Sequence, residues 1–140
     1  LSTIIHTELA PAFPLPFSQA LRAGDFVYVS GQVGVDPSTR VVAGATIEEQ
    51  TVQCLRNIER ILQAAGLTLD HVVKMNAFLS KMEDFPGYNK TYESVMSRPF
   101  PTRTSIGCLI GDYLIEIDAI AYAPTRRGED TSDVKGDEAL

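Results

Sequence analysis

A chain of 140 residues is one domain by length and long enough for a real core. Its 44% hydrophobic and 21% charged residues are ordinary for a globular protein, and no apolar run approaches the roughly 20 residues that span a bilayer. The net charge of −6 is concentrated in residues 128–140, where Glu129, Asp130, Asp133, Asp137 and Glu138 face only Lys135. The near-neutral remainder lacks the basic stripe that neutralises phosphates, which argues against a nucleic-acid partner.

Leu1–Thr7 show no basic stretch followed by an apolar one, so no secretory signal is expected; with no initiating Met, a few residues are expected to precede them. Residues 8–18 carry Pro11, Pro14 and Pro16, and proline fixes φ and removes a ladder donor, so an ordered arm is expected there. Gln19–Arg22 and Asp25–Ser30 flank Ala23-Gly24 and read as a hairpin, with Phe26, Tyr28 and Ser30 alternating against Val27, Val29 and Gly31. After a loop over 35–45 comes a helix over 46–65. Thr46 and Glu49 form a capping-box pair, Ile47, Thr51, Leu55, Ile58 and Leu62 recur on one face, and Gly66 stops it.

His71–Ser80 reads as a strand buried on at least one face. A second helix runs from Phe85 to Met96, with Pro86 in its first turn, Phe85, Tyr88 and Tyr92 as its apolar stripe, and Pro99 and Pro101 beyond its end. Strands over 102–109 and 113–122, joined by a turn at Ile110-Gly111-Asp112, close a single domain over 1–123; the polar tail 124–140 is expected to be disordered. This order predicts an α+β fold, a mixed sheet with two helices on one face and a hairpin at each end. Phe26, Tyr28, Phe78 and the apolar side chains of 113–122 exceed what a lone two-layer sheet hides, which predicts association into a closed ring.

Cys54 and Cys108 belong to no Cys-x-x-Cys pair and read as free thiols of a reducing compartment, cytoplasmic or, with a processed N-terminus, mitochondrial. His6 and His71 are too isolated for a ligand set, so no metal is expected.

Two residues carry the chemistry. Glu116 interrupts a strand-forming run, Tyr113-Leu114-Ile115-Glu116-Ile117-Asp118-Ala119-Ile120, where a carboxylate loses part of its water. Arg103, in Pro101-Thr102-Arg103, offers a planar fork matched to a carboxylate. An arginine that clamps an anion and a carboxyl group of raised pKa make a minimal kit for proton chemistry on a small carboxylic acid. The same residues also allow a plainer arrangement, a structural bridge across an interface from Arg103 to Glu116 or to Asp118, which share a strand face.

Pro16-Phe17-Ser18-Gln19-Ala20, Ser30-Gly31-Gln32, Gln50-Thr51, Asn57-Ile58, Asn89 with Tyr92, Pro101-Thr102-Arg103 and Ile115-Glu116-Ile117 follow one another along the chain. Together they resemble the YjgF family, also called the Rid (reactive intermediate deaminase) family, over about residues 3–123. The resemblance implies a chorismate-mutase-like fold assembled as a homotrimer, with sites between subunits that bind a small 2-imino or 2-keto carboxylate. It implies hydrolysis of enamine and imine acids such as 2-aminoacrylate to 2-keto acids and ammonia, without metal or organic cofactor. It makes Arg103 the carboxylate-binding residue and Glu116 the water-activating one, with Phe17, Ser30, Gly31, Asn89 and Ser105 lining the pocket. Phe17 stands where deaminating members commonly have tyrosine, and Ser105 where many have cysteine. A keto-acid-binding regulatory protein, and the endoribonuclease or translation-inhibitor activity attached to parts of the family, are the alternative functions.

Overall fold

The computed structural model describes residues 1–124; the expectation of a disordered tail therefore falls, from residue 125 on, outside the described residues. Six strands form one mixed sheet: β1 (Ser2–Ile5), β2 (Ala20–Ala23), β3 (Phe26–Val33), β4 (Val72–Leu79), β5 (Thr102–Gly107) and β6 (Ile115–Tyr122), in the order β1-β2-β3-β6-β4-β5. Helices α1 (Ile47–Ala64) and α2 (Phe85–Val95) pack against each other, and Val27, Val29, Met75, Ala77, Ile115 and Ile117 bury the sheet face beneath them. The α+β class, the N-terminal hairpin and both helices match the sequence reading.

Two expectations need correction, and one strand was not anticipated. The strands over 102–109 and 113–122 do not form a C-terminal hairpin, because β4 lies between them, parallel to β5 and antiparallel to β6. Strand β5 ends at Gly107, which leaves Cys108 beyond it, and the first residues form an edge strand, β1, paired with β2. A period-two pattern reports which faces a strand buries; it does not report which neighbour it pairs with.

Helix α1 starts as its sequence demands. Thr46 accepts from the Glu49 backbone N–H while the Glu49 side chain returns to the Thr46 N–H, satisfying two donors of the first turn. Its buried face contributes Cys54, Leu55, Ile58, Ile61 and Leu62 to the core, all fully enclosed. Two buried amides on that face tie the helix to the sheet. Asn57 donates to the carbonyls of Val33 and Val35 at 3.1 and 3.0 Å. Gln50 donates to the Gly44 carbonyl and accepts from the Leu114 N–H, both at 2.9 Å, which fixes the entry into β6. The helix comes so close here that a side chain at Gly34 would meet the Gln50 backbone at 2.9 Å.

The opposite sheet face carries no covering layer in the single chain. Tyr28, Tyr122 and Ile106 are 47%, 44% and 47% exposed, and the register aligns Tyr28 with Ile120 and Phe78 with Ile106 on that face.

Candidate functional site

Strand β3 makes the first half of the site by breaking its own register. Val29 pairs with Ala119 and Gln32 with Ile117, so β3 holds one residue more than β6 across that interval, a bulge at Ser30-Gly31. The Ser30 hydroxyl donates to the Ser18 carbonyl at 2.6 Å, and its backbone N–H to Gln19 at 2.9 Å, anchoring the proline-rich arm over the bulge. Glu116 lies beside this bulge, so close to Gly31 that a Cβ there would overlap its carboxylate. Ser30, Gly31, Glu116 and Phe17 thus share one cleft of about 440 Å³, completed by Phe13, Leu15, Val33 and Tyr113. Burial, and then the nearby Asp118 carboxylate, hold the Glu116 carboxyl above its ordinary value. Asp118 itself accepts from the Asn76 amide at 3.0 Å.

The second half stands on β5 and α2. Arg103 is exposed, with its guanidinium 4.9 Å from the ring centres of both Tyr88 and Tyr92 and 5.9 Å from Phe85. These cation–π contacts hold the guanidinium among three rings, and a guanidinium's N–H fork matches a carboxylate. Tyr88 is fully buried, and its hydroxyl meets the Ser105 hydroxyl at 3.0 Å. Arg103 lines a cleft of about 510 Å³ with Asn89, Lys90, Tyr92, Phe100 and Pro101. Two polar atoms here are buried without a hydrogen-bond partner, Asn89 Oδ1 and Tyr92 Oη. Burial raises the Tyr92 hydroxyl to about 12, so it remains a donor near neutral pH.

The structure keeps the two halves apart within one chain. Arg103 aligns with buried Met75 and points toward the helices; Glu116 aligns with Phe78 on the uncovered face. Strand β4 separates their strands, which stand two strand spacings apart, about 10 Å. Within the single chain, among the described residues, Arg103 pairs with no carboxylate. Of the residues singled out from sequence, Phe17, Ser30, Gly31 and Glu116 meet in one cleft, and Arg103 and Asn89 in the other, with Ser105 beside Arg103 on β5.

Sequence reasoning passed over Phe13, Leu15 and Tyr113 as cleft residues, although the Phe-Pro-Leu-Pro-Phe alternation was a usable signal. It also passed over Gln19. This buried amide accepts from the Thr7 N–H at 2.8 Å and donates to the Thr7 and Pro11 carbonyls at 3.1 and 3.0 Å, so it clamps the arm. Among the described residues no cluster of side chains is arranged to hold a metal ion.

The family model described as Endoribonuclease L-PSP matches residues 7–123. A RutC family protein of Saccharolobus solfataricus is 43% identical, over 86% of this chain and 98% of its own length. The 2-iminobutanoate/2-iminopropanoate deaminase of Mus musculus is 37% identical, over 84% and 89%. The crystal structure of RidA from an Antarctic Psychrobacter species superimposes with a TM-score of 0.82 at 36% identity, over 86% of this chain and 98% of that one.

Proposed function

The chain belongs to the endoribonuclease L-PSP family, the YjgF or Rid family, and from that premise we propose that it hydrolyses 2-imino acids to 2-keto acids and ammonia, at sites shared between copies in a ring of three. Relatives at 34% and 37% identity named 2-iminobutanoate/2-iminopropanoate deaminase support the activity. The observation that carries the reading is the separation of Arg103 and Glu116 onto opposite sheet faces, each in an open cleft, together with an apolar sheet face left bare. A second copy laid on that face would hide its apolar surface, and in the proposed ring that copy's Arg103, on edge strand β5, meets the first copy's Glu116.

In such a site the substrate carboxylate sits on Arg103, fixed in position and plane by two parallel hydrogen bonds. A water oxygen attacks the imine carbon while Glu116 takes its proton. Glu116 passes that proton to the nitrogen to complete the carbinolamine, the carbinolamine hydroxyl proton then moves by way of Glu116 to the same nitrogen, and the C–N bond breaks to release ammonia as the keto carbonyl forms. Water is consumed and ammonia released, with no change of oxidation state. A carboxyl whose pKa is raised serves both transfers better than an ordinary one, and such general acid–base help is worth about 100- to 10,000-fold.

Arg103→Ala is expected to abolish the acceleration of ammonia release from freshly generated 2-aminoacrylate while leaving the assembly mass unchanged. Unaltered ammonia release would remove Arg103 from the mechanism. A keto-acid-binding role is the second reading, favoured by Phe17, whose ring stands in the Glu116 cleft without a hydroxyl to hold water. Binding of 2-oxobutyrate with no accelerated imine hydrolysis would select it.

A further inference from the structure

We propose that the arm from Phe13 to Phe17 is a selectivity wall, and that the imino acid handled at Glu116 carries a large apolar side chain of the leucine or phenylalanine class; this rests on the deaminase reading above. Phe13, Leu15, Phe17 and Val33 give the Glu116 cleft an apolar side. Its polar groups are few. Of the lining side chains the Ser30 hydroxyl is already committed to the Ser18 carbonyl, which leaves Glu116 and Tyr113 as the other polar ones. Leu15 and Phe17 remain 60% and 47% exposed in the chain, so the wall has apolar surface to offer a ligand. The methylene of 2-aminoacrylate would leave that surface wet, whereas an isobutyl or benzyl group beside the same imine carbon would cover it.

The wall is also built to hold its shape. The Leu15 N–H donates to Phe13 and the Phe17 N–H to Leu15, both at 2.8 Å, which makes two successive three-residue turns centred on Pro14 and Pro16. Proline has the φ such turns need, and the alternation turns residues 13, 15 and 17 into the cleft together. Gln19 fastens the arm's base through the Thr7 and Pro11 carbonyls. A wall ordered before binding discriminates without an ordering cost.

The test compares kcat/KM for 2-iminopropanoate with that for the imines of leucine and phenylalanine. Each imine is generated by an amino-acid oxidase and followed by competition with semicarbazide trapping. The larger imines are expected to be favoured by about tenfold or more, since one methylene in an apolar pocket already gives about 10- to 200-fold discrimination. Leu15→Ala is expected to bring that ratio toward one. Equal or better hydrolysis of 2-iminopropanoate by the parent protein overturns this proposal and leaves the deaminase reading standing. Hydrolysis of no imine at all removes both. A Leu15→Ala variant with altered assembly mass and unaltered selectivity would place the arm in a subunit contact and overturn the wall.

Discussion

Burial alone would keep Glu116 protonated further up the pH scale than an exposed glutamate, and Asp118, two residues along on the same strand face, adds to the effect. In the proposed mechanism Glu116 must be ionised to act as the base toward water, so kcat/KM is expected to fall as pH drops through its raised pKa. The acid limb of the pH profile is therefore expected above the ordinary carboxylate range. Asp118→Asn removes the neighbouring negative charge yet keeps an oxygen for the Asn76 amide, so Glu116 becomes easier to ionise and the limb moves to lower pH. A limb that stays in place, or moves upward, would show that another group governs it. Arg103 contributes differently, through a planar fork held against the rings of Tyr88 and Tyr92.

Helix α1 and strand β3 hold the Glu116 half in place through polar groups inside the core. Asn57, 1% exposed, donates to two buried carbonyls at the end of β3, and Asn57→Ala removes both bonds, leaving the Val33 carbonyl only the Val35 N–H. The loss is expected to be about 2–3 kcal/mol by urea unfolding, against about 1 kcal/mol for Thr46→Ala, which opens a solvent-facing cap. Equal costs for the two would contradict the role given to Asn57. The helices were legible in the sequence because a capping box, a 3.6-residue stripe and a terminal glycine are local signals, and α1 follows all three. Glu116 and Ser30-Gly31 were legible because a charge or a glycine breaks a strand pattern. The pairing of β4 between β5 and β6 was not, because it depends on residues 28 to 49 positions apart. Nor was the work of Gln19, whose partners Thr7 and Pro11 lie across an irregular arm with no period to read.

For the molecule as a whole, the bare sheet face and the divided site call for the same remedy. Tyr28, Ile106 and Tyr122 lie on the face that a second copy would cover, and Glu116 opens toward it. The sequence pointed to association from the count of apolar strand residues alone. It could not show that Arg103 and Glu116 face opposite ways, since that follows from register. The most direct measurement mixes two variants, Arg103→Ala and Glu116→Gln, each inactive by itself, by unfolding and reassembling them together. If each site takes its arginine from one copy and its glutamate from the next, about a quarter of the sites in a randomly mixed ring regain both residues, and about a quarter of parental imine hydrolysis returns. A mixture as inactive as its components, at the parental assembly mass, would contradict the shared site.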